Sequence, residues 1–120
     1  MAKIIEAGES DFGAEVLHSP LPVLAVFWSP WSRPCKVLEP ALEEIAAANE
    51  QLKLVKVNAD DNPVLSLTFQ VQYIPSLLYF IRGKLRATTV GTVSKEAILS
   101  KLQAILKEDS AAESASSPPK

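Results

Sequence analysis

The sequence predicts an α/β fold in which a mixed sheet of four or five strands is flanked by helices, because apolar runs alternate with helical patterns. The strongest signal is the continuous apolar run at 21–28, which is typical of a central strand buried on both faces. Two later apolar runs, 76–82 and 85–90, are separated only by Gly83 and Lys84, and this short connection favours an antiparallel hairpin.

Size and composition indicate one domain with one core. The chain has 120 residues, of which 48% are hydrophobic and 22% are charged, as in ordinary globular domains. The net charge of −2, with no basic stripe, argues against nucleic acid as a ligand. One cysteine and one histidine cannot supply an intramolecular disulfide or a zinc tetrad, so we expect no disulfide framework, no metal and no cofactor.

Two helices are predicted on either side of the central run. The first is capped by Ser10 and ends before Pro20, and the second is capped by Ser32. Pro34 suits the first turn of the second helix, whereas Pro40 should kink it. The apolar face of the first helix consists of Phe12, Val16 and Leu17. The apolar face of the second consists of Val37, Leu38, Ala41, Leu42, Ile45 and Ala46.

The second half of the chain continues the alternation. A parallel-type strand is expected at 52–57, followed by a loop at 58–62 and a short helix that starts at Pro63 and ends near Phe69. Ser94 opens the last helix, with a hydrophobic staple across its start. The staple and the buried stripe consist of Val93, Ile98, Leu99, Leu102, Ile105 and Leu106.

The two ends of the chain set the expected domain boundaries and location. The domain should span 1–107, and a disordered tail rich in Ser, Ala and Pro should occupy 108–120, which holds no large apolar residue. Charge precedes any long apolar run, so we expect no signal or transit peptide. The longest apolar run is far shorter than the ~20 residues of a membrane span. The expected location is the cytoplasm, and no membrane partner is expected.

The segment 27–36, Phe-Trp-Ser-Pro-Trp-Ser-Arg-Pro-Cys-Lys, resembles the active-site stretch of the thioredoxin family, with serine in place of the first cysteine. Four more landmarks follow in the family's order, resembling its third strand, its cis-proline turn, its last hairpin and its final groove loop. These landmarks lie at 55–60, 74–76, 80–83 and 90–91. The resemblance implies a thioredoxin fold, with helices on both faces of the sheet, and the chemistry of thiol–disulfide exchange.

That chemistry uses two thiols three residues apart, one to attack a disulfide and one to resolve the mixed disulfide. Ser32 stands at the attacking position and Cys35 at the resolving position. The resemblance therefore implies that the dithiol cycle is absent or limited to one-thiol chemistry at Cys35. Val26 replaces the buried aspartate through which many thioredoxins move a proton, and its usual neighbour, Lys56, is expected to extend to solvent.

The resemblance also implies a substrate groove, which Tyr73 should narrow because it is larger than the residue often found there. The groove is expected to consist of Trp31, Arg33, Pro34, Tyr73, Ile74, Pro75, Val90 and Gly91. The implied partners are protein or peptide thiols and disulfides, with a thioredoxin-reductase-like electron donor. We expect the chain to be a monomer.

Two functions from different classes remain open on the sequence. One is thiol–disulfide exchange with a single thiol, and the other is a non-catalytic module that holds a peptide around Trp31 and Pro75. Ser32 also suffices as a plain helix cap, and a Cys→Ser substitution introduced into an active family member would give the same motif. We expect Cys35 to react slowly with thiol reagents in the folded chain, unless Arg33 folds back over its sulfur.

Overall fold

The computed structural model describes residues 4–116, with side chains for 4–110, and places five strands in one mixed sheet. The strands are β1 (Ile4–Glu6), β2 (Val23–Trp28), β3 (Lys53–Asn58), β4 (Ser76–Ile81) and β5 (Lys84–Val90). The helices are α1 (Arg33–Ala48), α2 (Pro63–Thr68) and α3 (Lys95–Ser116), and a π-helical turn spans Gly13–Leu17. The order across the sheet is β1-β3-β2-β4-β5, in which β1, β3 and β2 are parallel. Strands β4 and β5 run antiparallel to their neighbours.

Strand β2 separates two apolar layers, because its side chains alternate between the faces of the sheet. Val23, Ala25 and Phe27 pack on one face with residues of the π-helical turn and α2. Leu24 and Val26 pack on the other face with α1 and α3. All five side chains are buried. The predicted fold class, with a doubly buried central strand and helices on both faces, is therefore confirmed.

The first residues of the chain differ from the prediction. Ile4–Glu6 forms the edge strand β1 beside β3, although three residues are too few to show a strand period in the sequence. Ser10 does not cap the following helical turn, whose N-cap residue is Phe12. Instead, the Asp11 carboxylate accepts a hydrogen bond from the Gly8 N–H at 2.7 Å, so the polar contact forms one residue later than predicted.

The hairpin between β4 and β5 turns at Arg82 and Gly83, one residue earlier than predicted. Both residues have positive φ, 51° and 80°, the combination that a two-residue type I′ turn requires. A Cβ atom on Gly83 would lie 2.3 Å from the carbonyl oxygen of Leu17, so a glycine is needed here. Three members of the predicted buried helix faces are exposed, namely Leu17, Val37 and Leu106.

Helix α3 continues to Ser116 and so replaces the predicted disorder over 108–116. The Asp109 carboxylate binds Arg82 at 2.7 Å and Arg86 at 2.8 Å, which ties the last turns of the helix to the β4–β5 hairpin. Alanine and glutamate in this stretch also favour helix. The tail was predicted from the lack of large apolar side chains, whereas ion pairs of Glu108 and Asp109 hold the start of this stretch. Residues 117–120 of the predicted tail lie outside the described residues.

We expect Tyr79→Phe to reduce the loss of stability at alkaline pH. Burial raises the pKa of Tyr79 above 10.0, and a hydrogen bond from Thr89 opposes this in part. The folded chain therefore holds the phenolic proton more tightly than the unfolded chain. This contribution to stability is complete below pH 10 and is lost as the pH rises through the raised pKa.

Urea unfolding between pH 8 and pH 11.5 measures this effect as the pH slope of the unfolding free energy. The matched control is Tyr73→Phe, because Tyr73 is exposed and its substitution should leave the slope at the wild-type value. An unchanged slope in Tyr79→Phe would contradict the prediction.

Candidate functional site

The loop between β2 and α1 carries the residues of the predicted active-site motif. The Ser32 N–H donates to the carbonyl oxygen of Ser29 at 3.2 Å, which folds the loop back on itself. The Ser32 side-chain oxygen then accepts a hydrogen bond from the Cys35 N–H at 3.4 Å, as the N-cap of α1. The predicted cap is confirmed, and the Ser32 hydroxyl is engaged with the helix start.

Cys35, the single cysteine of the chain, lies in the first turn of α1 with only 6% of its surface exposed. It lines a cavity of about 610 Å³ between α1 and the ends of β2 and β3. The other residues lining this cavity, which we call the Lys56 cavity, are Trp28, Pro30, Lys36, Glu39, Pro40, Glu43 and Lys56. Cys35 therefore lines the same cavity as four charged side chains.

Two hydrogen bonds link the loop at 91–92 to the other segments of the groove. The Thr92 hydroxyl donates to the carbonyl oxygen of Pro34 at 3.1 Å. One residue earlier, the Gly91 N–H donates to the carbonyl oxygen of Pro75 at 2.8 Å. The peptide bond between Ile74 and Pro75 is cis. Three distant segments of the chain, around 34, 75 and 91, are thus brought together.

The exposed part of the groove is apolar and aromatic. Trp31 is 71% exposed, Tyr73 66% and Val90 52%, whereas Ile74 is half-buried and Pro75 is buried. A rim of this kind, with large apolar side chains facing solvent, is typical of a binding surface. Pro75 contributes no exposed ring to this rim, and its carbonyl oxygen is bound by the Gly91 N–H.

Asp60 holds the most exposed of these rings in place. Its Oδ2 atom accepts hydrogen bonds from Trp31 Nε1 at 2.6 Å and from the Ser29 hydroxyl at 2.8 Å. The sequence analysis did not identify Asp60 as a site residue. Its position was a usable signal, because Asp60 follows β3 and Trp31 follows β2, and the carboxyl ends of parallel neighbours lie at one edge of a sheet.

Arg33 is exposed and lines a different cavity, of about 480 Å³, with Trp31, Lys36 and Val37. Cys35 is part of the Lys56 cavity, so the two side chains line separate cavities. Arg33 therefore lies beside Trp31 of the exposed aromatic rim and lines a different cavity from Cys35.

Lys56 does not extend to solvent, and that prediction is wrong. Its ammonium lies 3.5 Å from a carboxylate oxygen of Glu39 and 4.1 Å from the centre of the Trp28 ring. Its side chain is only 15% exposed. In the sheet, Val26 of β2 is paired with Lys56 of β3. The Val26 side chain is buried in the apolar layer under α1. The carboxylate that neutralises Lys56 therefore comes from the helix and not from the neighbouring strand.

The described part of the chain lacks the features of two other classes of site. Among residues 4–110, no group of three or more His, Cys, Asp or Glu side chains is placed to hold a metal ion. No helix within 4–116 combines the length and hydropathy that crossing a membrane requires.

Comparison with known proteins agrees with the fold. The thioredoxin family model matches residues 3–104. The chain is 41% identical to a thioredoxin of Griffithsia pacifica over 100 residues, 82% of this chain and 92% of the relative. It is 38% identical to a thioredoxin of Haemophilus influenzae over 96 residues, 79% of this chain and 90% of the relative. It is 43% identical to a thioredoxin of Acidithiobacillus ferridurans over 93 residues, 77% of this chain and 86% of the relative.

We expect Asp60→Ala to release the Trp31 ring, because both hydrogen bonds to the carboxylate are lost. Acrylamide quenching and fluorescence anisotropy in a Trp28→Phe background would report on Trp31 alone. We expect faster quenching and lower anisotropy, with a loss of stability of about 1–2 kcal/mol. Asp61→Ala removes a neighbouring exposed carboxylate and is the control that should change neither signal. Equal anisotropy in the two variants would show that packing, and not Asp60, orients the ring.

Proposed function

The chain belongs to the thioredoxin family, and on that basis we propose that this member of a thiol–disulfide oxidoreductase class works with one thiol, that of Cys35. The observation that carries the proposal is the start of α1. The only cysteine lies in its first turn, and the position three residues earlier is a serine whose oxygen caps the helix. Ser32 has no sulfur, so it cannot form the disulfide-linked intermediate of a dithiol cycle.

The proposed reaction is a balanced exchange that needs no second cysteine. The Cys35 thiol loses its proton, and the thiolate attacks one sulfur of a partner disulfide. A new sulfur–sulfur bond forms at Cys35, the partner's bond breaks, and the departing thiolate takes up the proton. An external thiol then attacks the partner's sulfur in the mixed disulfide, the bond to Cys35 breaks, and the proton of the external thiol passes to the departing Cys35 thiolate. One disulfide is consumed and another forms between the external thiol and the partner, so the external thiol is the co-reactant.

The surroundings of Cys35 have opposing effects on this exchange. The free N–H groups and dipole at the start of α1 favour a negative charge there, which supports the thiolate. The exposed side chains of Trp31, Tyr73 and Val90 offer an apolar surface to the partner chain. The burial of Cys35, at 6% exposure, opposes attack and makes the exchange slow.

Protein or peptide disulfides are the substrates that we propose. The external thiol would be a low-molecular-weight thiol or a reductase-like electron donor. A monomer in the cytoplasm, where thiols are kept reduced, would suit this chemistry.

The second candidate is a binding module without redox turnover. It is favoured by the combination of a buried thiol with an exposed aromatic rim, since binding needs the rim and not the sulfur. In that case the groove would hold an extended peptide, with main-chain hydrogen bonds for affinity.

We expect Ser32→Cys to reduce insulin disulfides in the presence of dithiothreitol at least tenfold faster than the wild-type chain. The substitution places two thiols within one helical turn and so closes the dithiol cycle. Ser32→Ala is the matched control, because it removes the cap without adding a thiol and should show no gain. If Ser32→Cys is no faster than the wild type, the site has lost more than one sulfur and the oxidoreductase proposal fails.

We also expect the wild-type chain to form a mixed disulfide with a peptide that carries an activated disulfide, detected as a mass increase that dithiothreitol reverses. Cys35→Ser should lose this adduct completely. If Cys35→Ser instead retains the same peptide non-covalently, and Trp31→Ala releases it, the binding module replaces one-thiol exchange.

A further inference from the structure

The Lys56 cavity places opposite charges beside the only thiol of the chain. Two ammonium groups and two carboxylates line it together with Cys35. From α1 these groups are Lys36, Glu39 and Glu43, and from β3 the group is Lys56. Strand β2 adds the indole of Trp28. The electrostatic environment of the thiol is therefore set by how these charges pair.

Glu39 and Lys56 form the ion pair of this cavity. Glu39 follows Cys35 by four residues on α1, so the two side chains lie on one face of the helix. Its carboxylate, 45% exposed, lies 3.5 Å from the Lys56 ammonium, whose side chain is 15% exposed. The Trp28 ring lies 4.1 Å from the same ammonium. Lys56 is thus held in one place from two sides.

We propose that Glu39 is a positioning residue that restrains Cys35, because it pairs with the Lys56 ammonium and cancels the positive charge that would otherwise favour the thiolate. This inference rests on the proposed one-thiol function. A nearby ammonium favours a thiolate and a nearby carboxylate disfavours it, so the two members of the pair act on the thiol in opposite directions. Glu39 touches neither substrate nor sulfur in this scheme and acts through Lys56.

The proposal predicts opposite effects on the Cys35 thiolate when the charge of Glu39 or that of Lys56 is removed. Without the Glu39 charge, the Lys56 ammonium loses its carboxylate partner and the thiolate is favoured. Without the Lys56 charge, the Glu39 carboxylate loses its ammonium partner and the thiolate is disfavoured. Loss of both charges restores the balance. A purely structural ion pair would give no such change of sign.

The test is the rate of Cys35 alkylation by iodoacetamide, an uncharged reagent, at pH 7.5 in the full chain. We expect Glu39→Gln to react roughly three- to tenfold faster than the wild type and Lys56→Gln to react slower by a similar factor, as one partly screened unit charge would cause. The double variant should react within about twofold of the wild type. Glu43→Gln is the matched control, because it removes a carboxylate from the same cavity but not the partner of Lys56.

Three results would overturn the proposal: an unchanged or slower rate in Glu39→Gln, equal acceleration in Glu43→Gln, or rates that follow the unfolding free energy of the variants instead of their charge. Urea unfolding of each variant supplies that last comparison. Alkylation requires no partner disulfide, so this test is separate from that of the proposed function. The chain could show the expected order of alkylation rates and yet form no mixed disulfide with the peptide. That result would support the role of Glu39 and overturn one-thiol exchange.

Discussion

The burial of β2 on both faces is the constraint on which the rest of the structure depends. Strand β2 lies between β3 and β4 and is covered by helical elements on both faces. Its carboxyl end is therefore fixed in position, and the chain leaves it with Ser29 directly at the groove. Parallel pairing with β3 brings Asp60 to the same edge. Antiparallel pairing with β4 brings in Ser76, which directly follows Pro75. The pairing of strands therefore brings the segments of the site together, and contacts between their side chains then fix the local geometry.

An apolar residue at position 26 has consequences beyond the strand itself. Val26 extends the apolar layer beneath α1, and β2 therefore offers no carboxylate to Lys56, the partner of Val26 in β3. An ammonium that is largely removed from water needs compensation. Here the compensation comes from Glu39 and from the face of Trp28. With an apolar residue at position 26, the ion pair of Lys56 is thus formed with the helix that carries Cys35.

The features that could be predicted from the sequence are those decided by neighbouring residues. The doubly apolar run of β2 and the cap at Ser32 are local, and so is the pattern of the hairpin. The contacts that escaped prediction join segments far apart in the chain: Trp31 with Asp60, Lys56 with Glu39, and Asp109 with the hairpin. A polar side chain in a loop carries no local sign of its partner, because the partner is chosen by tertiary packing.

The edges of the sheet also bear on how copies of this chain meet one another. On one side the edge is β1, which is only three residues long. On the other it is β5, which carries Lys84 and Arg86, and Arg86 is engaged by Asp109 of α3. Short strands and charged side chains make poor templates for a strand from another molecule. The described edges of the sheet therefore disfavour strand pairing between copies of this chain, and with it the growth of extended β-aggregates.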